Sequence, residues 1–224
     1  MKNVFLLCCF LSFTQFSFGQ KDSLSLGDRY ADDQLYLAVS YAQLINQPTT
    51  ITRSSFSYAL SAGFIKDITL NREGTFSFGL GIGYGYQNIN HQLRVEEING
   101  ATIFGNSSGL TDNTFTVQNL EFPLEIRWRT SSSNKYDFWR IYTGIKFLYN
   151  MGNRFEFIEN SNRFSYWNVS AYNNFQYGLT LSVGYDAINA NLFYGLTPIF
   201  SEASFNNESI NTKILQFGIV FYIL

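Results

Sequence analysis

From Phe76 to Tyr86 the chain runs Phe-Ser-Phe-Gly-Leu-Gly-Ile-Gly-Tyr-Gly-Tyr, so every even position is large and apolar and every odd one is tiny. This alternation predicts a strand, because successive side chains of an extended chain point to opposite faces, whereas a helix would scatter them. Glycine weakens an ordinary sheet, since it adds no packing and loses the most entropy. The pattern makes sense where one face meets an apolar solvent and the other lines a cramped, curved interior. A transmembrane β-barrel strand has that build and needs roughly 9–11 residues to cross the bilayer.

The same period recurs along the chain. A first strand spans Leu35 to Ala42, a second Phe56 to Phe64, and the third is the opening stretch carried on to His91. A fourth follows at Leu120–Arg129, a fifth at Arg140–Tyr149, a sixth at Phe175–Tyr185, a seventh at Asn189–Leu196 and a last from Leu215 to the C-terminus. The connections alternate in length. Lys66–Gly74, Thr130–Lys135 and Asp186–Ala187 are short, while Arg94–Asn113, Gly152–Asn173 and Thr197–Asn211 form long polar loops. Short periplasmic turns and longer outer loops give this rhythm when both termini are periplasmic. The expectation is an all-β, eight-stranded antiparallel up-and-down transmembrane β-barrel over residues 35–224 in the outer membrane, preceded by a periplasmic segment, 20–34.

Charge placement sharpens the picture. A basic residue facing lipid at mid-membrane costs roughly 2–4 kcal/mol. In the assigned strands Glu121, Glu125, Arg127, Arg129, Arg140 and Lys146 all fall on the small-residue face. Neighbouring fourth and fifth strands would bring these acids and bases together as a lumenal network, because a buried charge is tolerable only when paired. Its plain role is to plug and stiffen the barrel; the alternative is a proton or ion path. The interior of an eight-stranded barrel is just wide enough for side chains to fill. Tyr36, Gln87, Gln118, Tyr142, Gln176 and Phe193 are also expected inside, which argues against an open pore. Pro123 cannot donate a ladder hydrogen bond, so a bulge or local break is expected beside Glu121 and Glu125.

Composition agrees. Charged residues make up 14% and aromatics 18% of the chain, against about 25% charged in typical soluble domains. The net charge of −2, with no basic cluster, gives no reason to expect nucleic acid as a partner. Met1 to Gly19 has the form of a secretory signal peptide: Lys2, an apolar middle from Val4 to Phe13, and Ser17-Phe18-Gly19 as a small-x-small site before Gln20. Cys8 and Cys9 would leave with it, so no disulfide or cysteine-bound metal is expected in the mature chain. A single histidine and no spaced carboxylate cluster make a metal site or other cofactor unexpected. Hydrolysis by a Ser–His–acid arrangement would have to use His91, which is expected to be a solvated rim residue. The glycines of the third strand lie inside one strand, so they are not a nucleotide-binding loop, which joins a strand to a helix. One loop stands out: Phe155, Phe157, Phe164, Tyr166 and Trp167 form a candidate partner surface. The plain alternative is a hairpin that rises above the membrane and packs these rings on one another.

Leu120-Glu-Phe-Pro-Leu-Glu-Ile, Tyr142-Thr-Gly-Ile-Lys-Phe and Asn191-Leu-Phe-Tyr-Gly-Leu-Thr-Pro-Ile-Phe together resemble the PorT-like outer-membrane β-barrels of Bacteroidetes. That family includes a component required for type IX secretion and many members of unassigned role. The resemblance implies an outer-membrane location and the barrel fold. The reading of the chain as a whole is a non-enzymatic envelope scaffold or interaction protein, with outer-membrane lipid and other envelope or secretion proteins as the expected partners. A narrow ion or small-molecule conduit is the alternative, and an envelope lipid hydrolase a third.

Overall fold

In the computed structural model, residues 33–48, 51, 56–106, 110–130, 139–201, 203–206 and 208–223 are described. The expected signal peptide, most of segment 20–34, and Leu224 lie outside them. Period-two alternation is realised as β1 (Gln34–Ile45), β2 (Tyr58–Thr69), β3 (Phe76–Asn90), β4 (Arg94–Ile98), β5 (Ala101–Gly105), β6 (Leu110–Arg129), β7 (Trp139–Glu159), β8 (Asn162–Trp167), β9 (Phe175–Tyr185), β10 (Ile188–Gly195), β11 (Ser204–Phe205), β12 (Glu208–Ser209) and β13 (Lys213–Ile223).

Eight of these close on themselves. The order β6-β3-β2-β1-β13-β10-β9-β7 is completed by β6 pairing with β7, and every neighbouring pair is antiparallel. Closure leaves the wall no open edge, which is what a sheet in hydrocarbon requires. The outward residues are the large apolar ones: Leu80 is 49% and Ile82 53% exposed, while Gly83 and Gly85, which flank Tyr84, face a filled interior. On β9 the outward rings and aliphatics run from Phe175 to Tyr185, a tilted span of ~25 Å, the height of a barrel's apolar band. Aromatic rings mark both rims. Trp139 meets Tyr185 edge-on at 5.7 Å near the chain-terminus end. Tyr41, Phe56, Tyr58, Tyr86 and Phe217 make a contiguous arc at the other.

The β3 glycines are sockets. A Cβ at Gly79 would sit 2.9 Å from the Arg127 side chain, one at Gly81 2.8 Å from Pro123, and those at Gly83 and Gly85 would collide with the Tyr36 hydroxyl and the Glu121 carboxylate. The bare strand therefore makes room for the charged groups of β6. At Pro123 the β3–β6 ladder lapses: Leu80 pairs with Leu124 and Gly83 with Glu121, leaving Gly81 and Ile82 without partners there and the register unchanged. The expected local break is present, without a bulge.

The long loops differ from the expectation of irregular polar chain. The segment expected as one loop from Arg94 to Asn113 contains the β4–β5 hairpin, turned at Asn99-Gly100 with both φ positive, and β6 begins at Leu110. The segment expected as a loop from Gly152 to Asn173 carries β7 on to Glu159 and back as β8. The bulge that the sequence does not reveal lies at Met151: Asn119 pairs with Asn150 but Gln118 with Gly152. The extra residue reverses the facing of β7, so Asn150 points in, Met151 out, and Asn153, Phe155 and Phe157 in again. Gln118, expected inside, is exposed instead.

Replacing Gly83 by valine is expected to destabilise the barrel by about 1–3 kcal/mol, because Tyr36 has to leave its socket. Urea unfolding of the lipid-reconstituted protein measures this, and valine at the outward Leu80 provides the near-neutral comparison.

Candidate functional site

Two places gather the chemistry-bearing residues: the lumen at the level of β6 and β7, and the cap above it. In the lumen Asp67 is the hub on the terminal side. It accepts from Arg127 Nη1 at 3.2 Å, from Arg129 Nη2 at 2.9 Å and from the Ser77 hydroxyl at 2.6 Å, and both guanidinium side chains are fully buried. Arg127 Nε donates to Glu125 at 3.1 Å and Nη2 to the Gln34 amide oxygen at 2.5 Å. Its guanidinium lies 4.2 Å from the Tyr142 ring centroid. Arg129 Nε donates to the Gly74 carbonyl at 2.7 Å, tying the network to a turn. Higher up, Glu121 accepts from Lys146 Nζ and from the Tyr36 hydroxyl, both at 3.1 Å, and from the Ser61 hydroxyl at 2.9 Å. Arg140, directly across the β6–β7 ladder from Arg129, donates through Nη1 to the Asp186 carbonyl at 3.0 Å.

All six predicted charges thus lie inside the wall, and five are in the ion pairs just described. A second strand that ends at Phe64 puts Asp67 in the expected Lys66–Gly74 turn, but β2 runs on to Thr69. Continuing the alternation through Ile65 and Lys66 places Asp67 inward, opposite Gly79. A cavity of about 30 Å³ touches Tyr36, Glu121, Glu125, Lys146, Thr180 and Tyr222, room for one or two waters.

Above the charges the interior turns apolar. Phe115, Phe155, Tyr172, Phe200, Ile199 and Leu93 belong to one buried cluster that fills the mouth of the barrel. Phe115 and Phe155 stack with centroids 4.9 Å apart. The Met151 bulge is anchored from inside by amides: Asn150 Nδ2 donates to Asn119 at 3.3 Å and Asn153 Nδ2 to Asn150 at 3.0 Å. The β4–β5 hairpin is pinned to the β8–β9 connection through Glu97, which accepts from the Thr102 and Ser170 hydroxyls at 2.8 and 3.2 Å. Partial burial works against its charge, but these hydrogen bonds prevail and hold its carboxyl below the usual range.

His91 is not the solvated rim residue expected. It is 6% exposed, edge-on to Phe115 at 5.5 Å and to Phe155 at 6.0 Å, and its Nε2 has no hydrogen-bond partner. Burial among rings lowers its pKa to about 3. Of the candidate partner loop, Phe155 and Phe157 are buried in the cap at 1% exposure and so present no surface. Phe164 stacks on Phe157 at 5.1 Å yet stays 38% exposed, Tyr166 packs partly against the cluster, and Trp167 is 61% exposed beneath the Arg154 guanidinium. Phe155 and Phe157 thus pack inside the head, whereas Phe164 and Trp167 stay exposed on it. Among the described residues no three His, Asp or Glu side chains come together as a metal site.

Asp67→Asn is expected to cost about 3–5 kcal/mol of unfolding free energy, because two buried guanidinium groups lose their shared carboxylate; adding Arg129→Gln should recover part of it. His91 is disfavoured as a cation when folded, so the unfolded chain takes up a proton near pH 6.5 that the folded chain takes up only near pH 3. Its contribution is complete above pH 6.5 and falls between 6.5 and 3 by about 1.4 kcal/mol per pH unit. His91→Leu should remove that component from the pH dependence of the urea midpoint.

Residues 16–201 match the family model described as outer membrane protein beta-barrel domain. No curated protein matches the sequence. Among solved structures, Ail, the attachment invasion locus protein of Yersinia pestis, is similar at 9% identity and a TM-score of 0.41, covering 85% of this chain and 97% of that one. A mutant of the Rh. blastica porin is similar at 7% identity and a TM-score of 0.22, covering 87% and 100%. At those scores neither bears on function. The family match spans most of the chain, and the closed antiparallel sheet with lipid-facing apolar residues agrees with it: the chain belongs to the outer membrane protein beta-barrel domain family.

Proposed function

We propose that this protein is a non-enzymatic, non-conducting outer-membrane scaffold that presents a folded β-rich head at one membrane surface for interaction with other envelope proteins. The observation that carries this is the double closure of the lumen. Buried Arg127, Arg129 and Tyr142 fill the terminal half, and the ring cluster around Phe115 and Phe155 fills the other mouth. Opening a path would mean separating buried ion pairs, at several kcal/mol for each uncompensated charge. The lumenal network, Glu121, Glu125, Arg127, Arg129, Arg140 and Lys146 together with Asp67, therefore serves as a plug.

Strand direction supports periplasmic termini. β1 begins and β13 ends at the rim that carries the short turns, and the hairpins β4–β5, β7–β8 and β11–β12 gather at the opposite rim. The resemblance to PorT-like barrels supports a place beside a type IX secretion apparatus. The narrow conduit is disfavoured by the two plugs. Hydrolysis is disfavoured because His91 faces Phe115 and Phe155 rather than a nucleophile.

Planar-bilayer recording of the purified protein tests the reading. The expected result is no steady unitary conductance from the wild type; large, steady openings would establish the conduit in its place.

A further inference from the structure

The sheet continues beyond the barrel wall. β7 rises to Glu159, β8 returns beside it, and β8 is bonded on one side only in the strand order. The residues that join them, Asn160 and Ser161, have φ of 49° and 64°, the left-handed pair that marks a two-residue type I′ hairpin. In such a hairpin the closing pair, here Glu159 and Asn162, exchanges both hydrogen bonds, and bonded and non-bonded pairs alternate from there. Asn162, Phe164 and Tyr166 thus aim their main-chain groups at β7, whereas Arg163, Ser165 and Trp167 aim theirs away from it. Asn168 keeps the phase by donating to the Asn153 carbonyl at 2.9 Å. Among the described residues, no backbone hydrogen bond outside the β7–β8 ladder reaches Arg163, Ser165 or Trp167.

Proteins usually blunt such an edge by keeping it short, or with charged side chains, proline, a bulge or a covering segment. β8 has six residues with a single charge, Arg163, and no proline, and its pairing with β7 is regular throughout. Its side chains are sorted by face. Phe164 and Tyr166 lie opposite Phe157 and Phe155, so the apolar face of the cap runs out to the edge. On the outer face Arg163 is 66% exposed and meets Glu156 only at 3.9 Å.

We propose that β8 is a docking edge that accepts an extended segment of a different protein as an added strand, with an apolar side chain over Phe164 and a carboxylate beside Arg163. This names the partner class of the interaction surface and rests on the reading of the barrel as an interaction protein. A second copy of this chain does not fit the edge. Copies in one membrane are related by a two-fold along its normal, which leaves their β8 strands running in the same sense along that axis. An antiparallel ladder is then excluded, and the slanted bonds of a parallel ladder are not two-fold symmetric. A separate extended segment carries no such constraint, and main-chain bonding supplies its affinity.

The full-length protein in lipid nanodiscs tests this with two synthetic probes: a nonapeptide of alternating valine and glutamate, and the same peptide N-methylated at alternate residues. Hydrogen exchange at the amides of Arg163, Ser165 and Trp167 is expected to slow saturably with the first probe and at least tenfold less with the second. Ser165→Pro, which removes an outward donor and leaves the β7 ladder, should abolish the effect while the barrel keeps its heat-modifiable gel shift. Arg163→Glu should weaken the glutamate probe at least threefold and favour a valine–lysine peptide. No slowing at about 1 mM probe, the weak end of specific binding, overturns the proposal. So does binding indifferent to N-methylation, which would mean side-chain contact alone. Slowing that grows with protein concentration and needs no peptide overturns it in favour of self-association. Conductance in a bilayer would sink the scaffold reading and leave these outcomes standing.

Discussion

The structure depends on where its buried charges can be put. Three carboxylates and three basic side chains of the central network, Asp67, Glu121, Glu125, Arg127, Arg129 and Lys146, lie within a wall whose outside is hydrocarbon. None of them can reach water across the sheet, so each must find its partner within the cross-section of the barrel. That requirement explains the bare face of β3, which otherwise looks like a weak strand. Gly79, Gly83 and Gly85 are the positions against which Arg127, Tyr36 and Glu121 lie, and any side chain there would occupy the space the network needs. Glycine's backbone freedom plays no part; its missing Cβ does.

A second consequence is the division of the interior into layers. The terminal half is polar and ion-paired, the outer half is apolar and aromatic, and His91 belongs to the apolar layer. The change coincides with the asparagine knot at the Met151 bulge, where Asn119, Asn150 and Asn153 satisfy one another. Below it the barrel is closed by charge pairing, and above it by ring packing among residues that the hairpins fold inward. The cap has no lipid around it, so its strands can end in free edges, which the wall cannot do. The interaction surface therefore belongs to the head.

The strand order was legible because lipid imposes a strict rule on every second residue. Leu35 to Tyr41, Phe76 to Tyr86 and Phe175 to Tyr185 each announce their facing, and the six charges announce the inner face by elimination. Asp67 was equally legible by continuing the parity of Phe64 one residue pair further. The Asn99-Gly100 hairpin carried its own signal, since that dipeptide between apolar runs favours a type I′ turn. Outside the membrane the rule weakens, because aqueous loops can place rings on either side. Phe155 and Phe157 have the parity of lipid-facing Tyr149, and alternation alone sends them outward.

The alternation along the chain is enough to say which residues face lipid, how many strands cross and that the six charges of the fourth and fifth strands face the lumen. Each of those follows from the cost of exposing polar groups to hydrocarbon. It takes the folded chain to show that one extra residue at Met151 turns two phenylalanines and the tip of β7 inward, that His91 is enclosed by their rings, and that among the described residues no strand pairs with the outer edge of β8. A bulge is a matter of pairing between strands distant in sequence, Gln118 with Gly152 and Asn119 with Asn150, and no local pattern of side chains records which residue the ladder will skip.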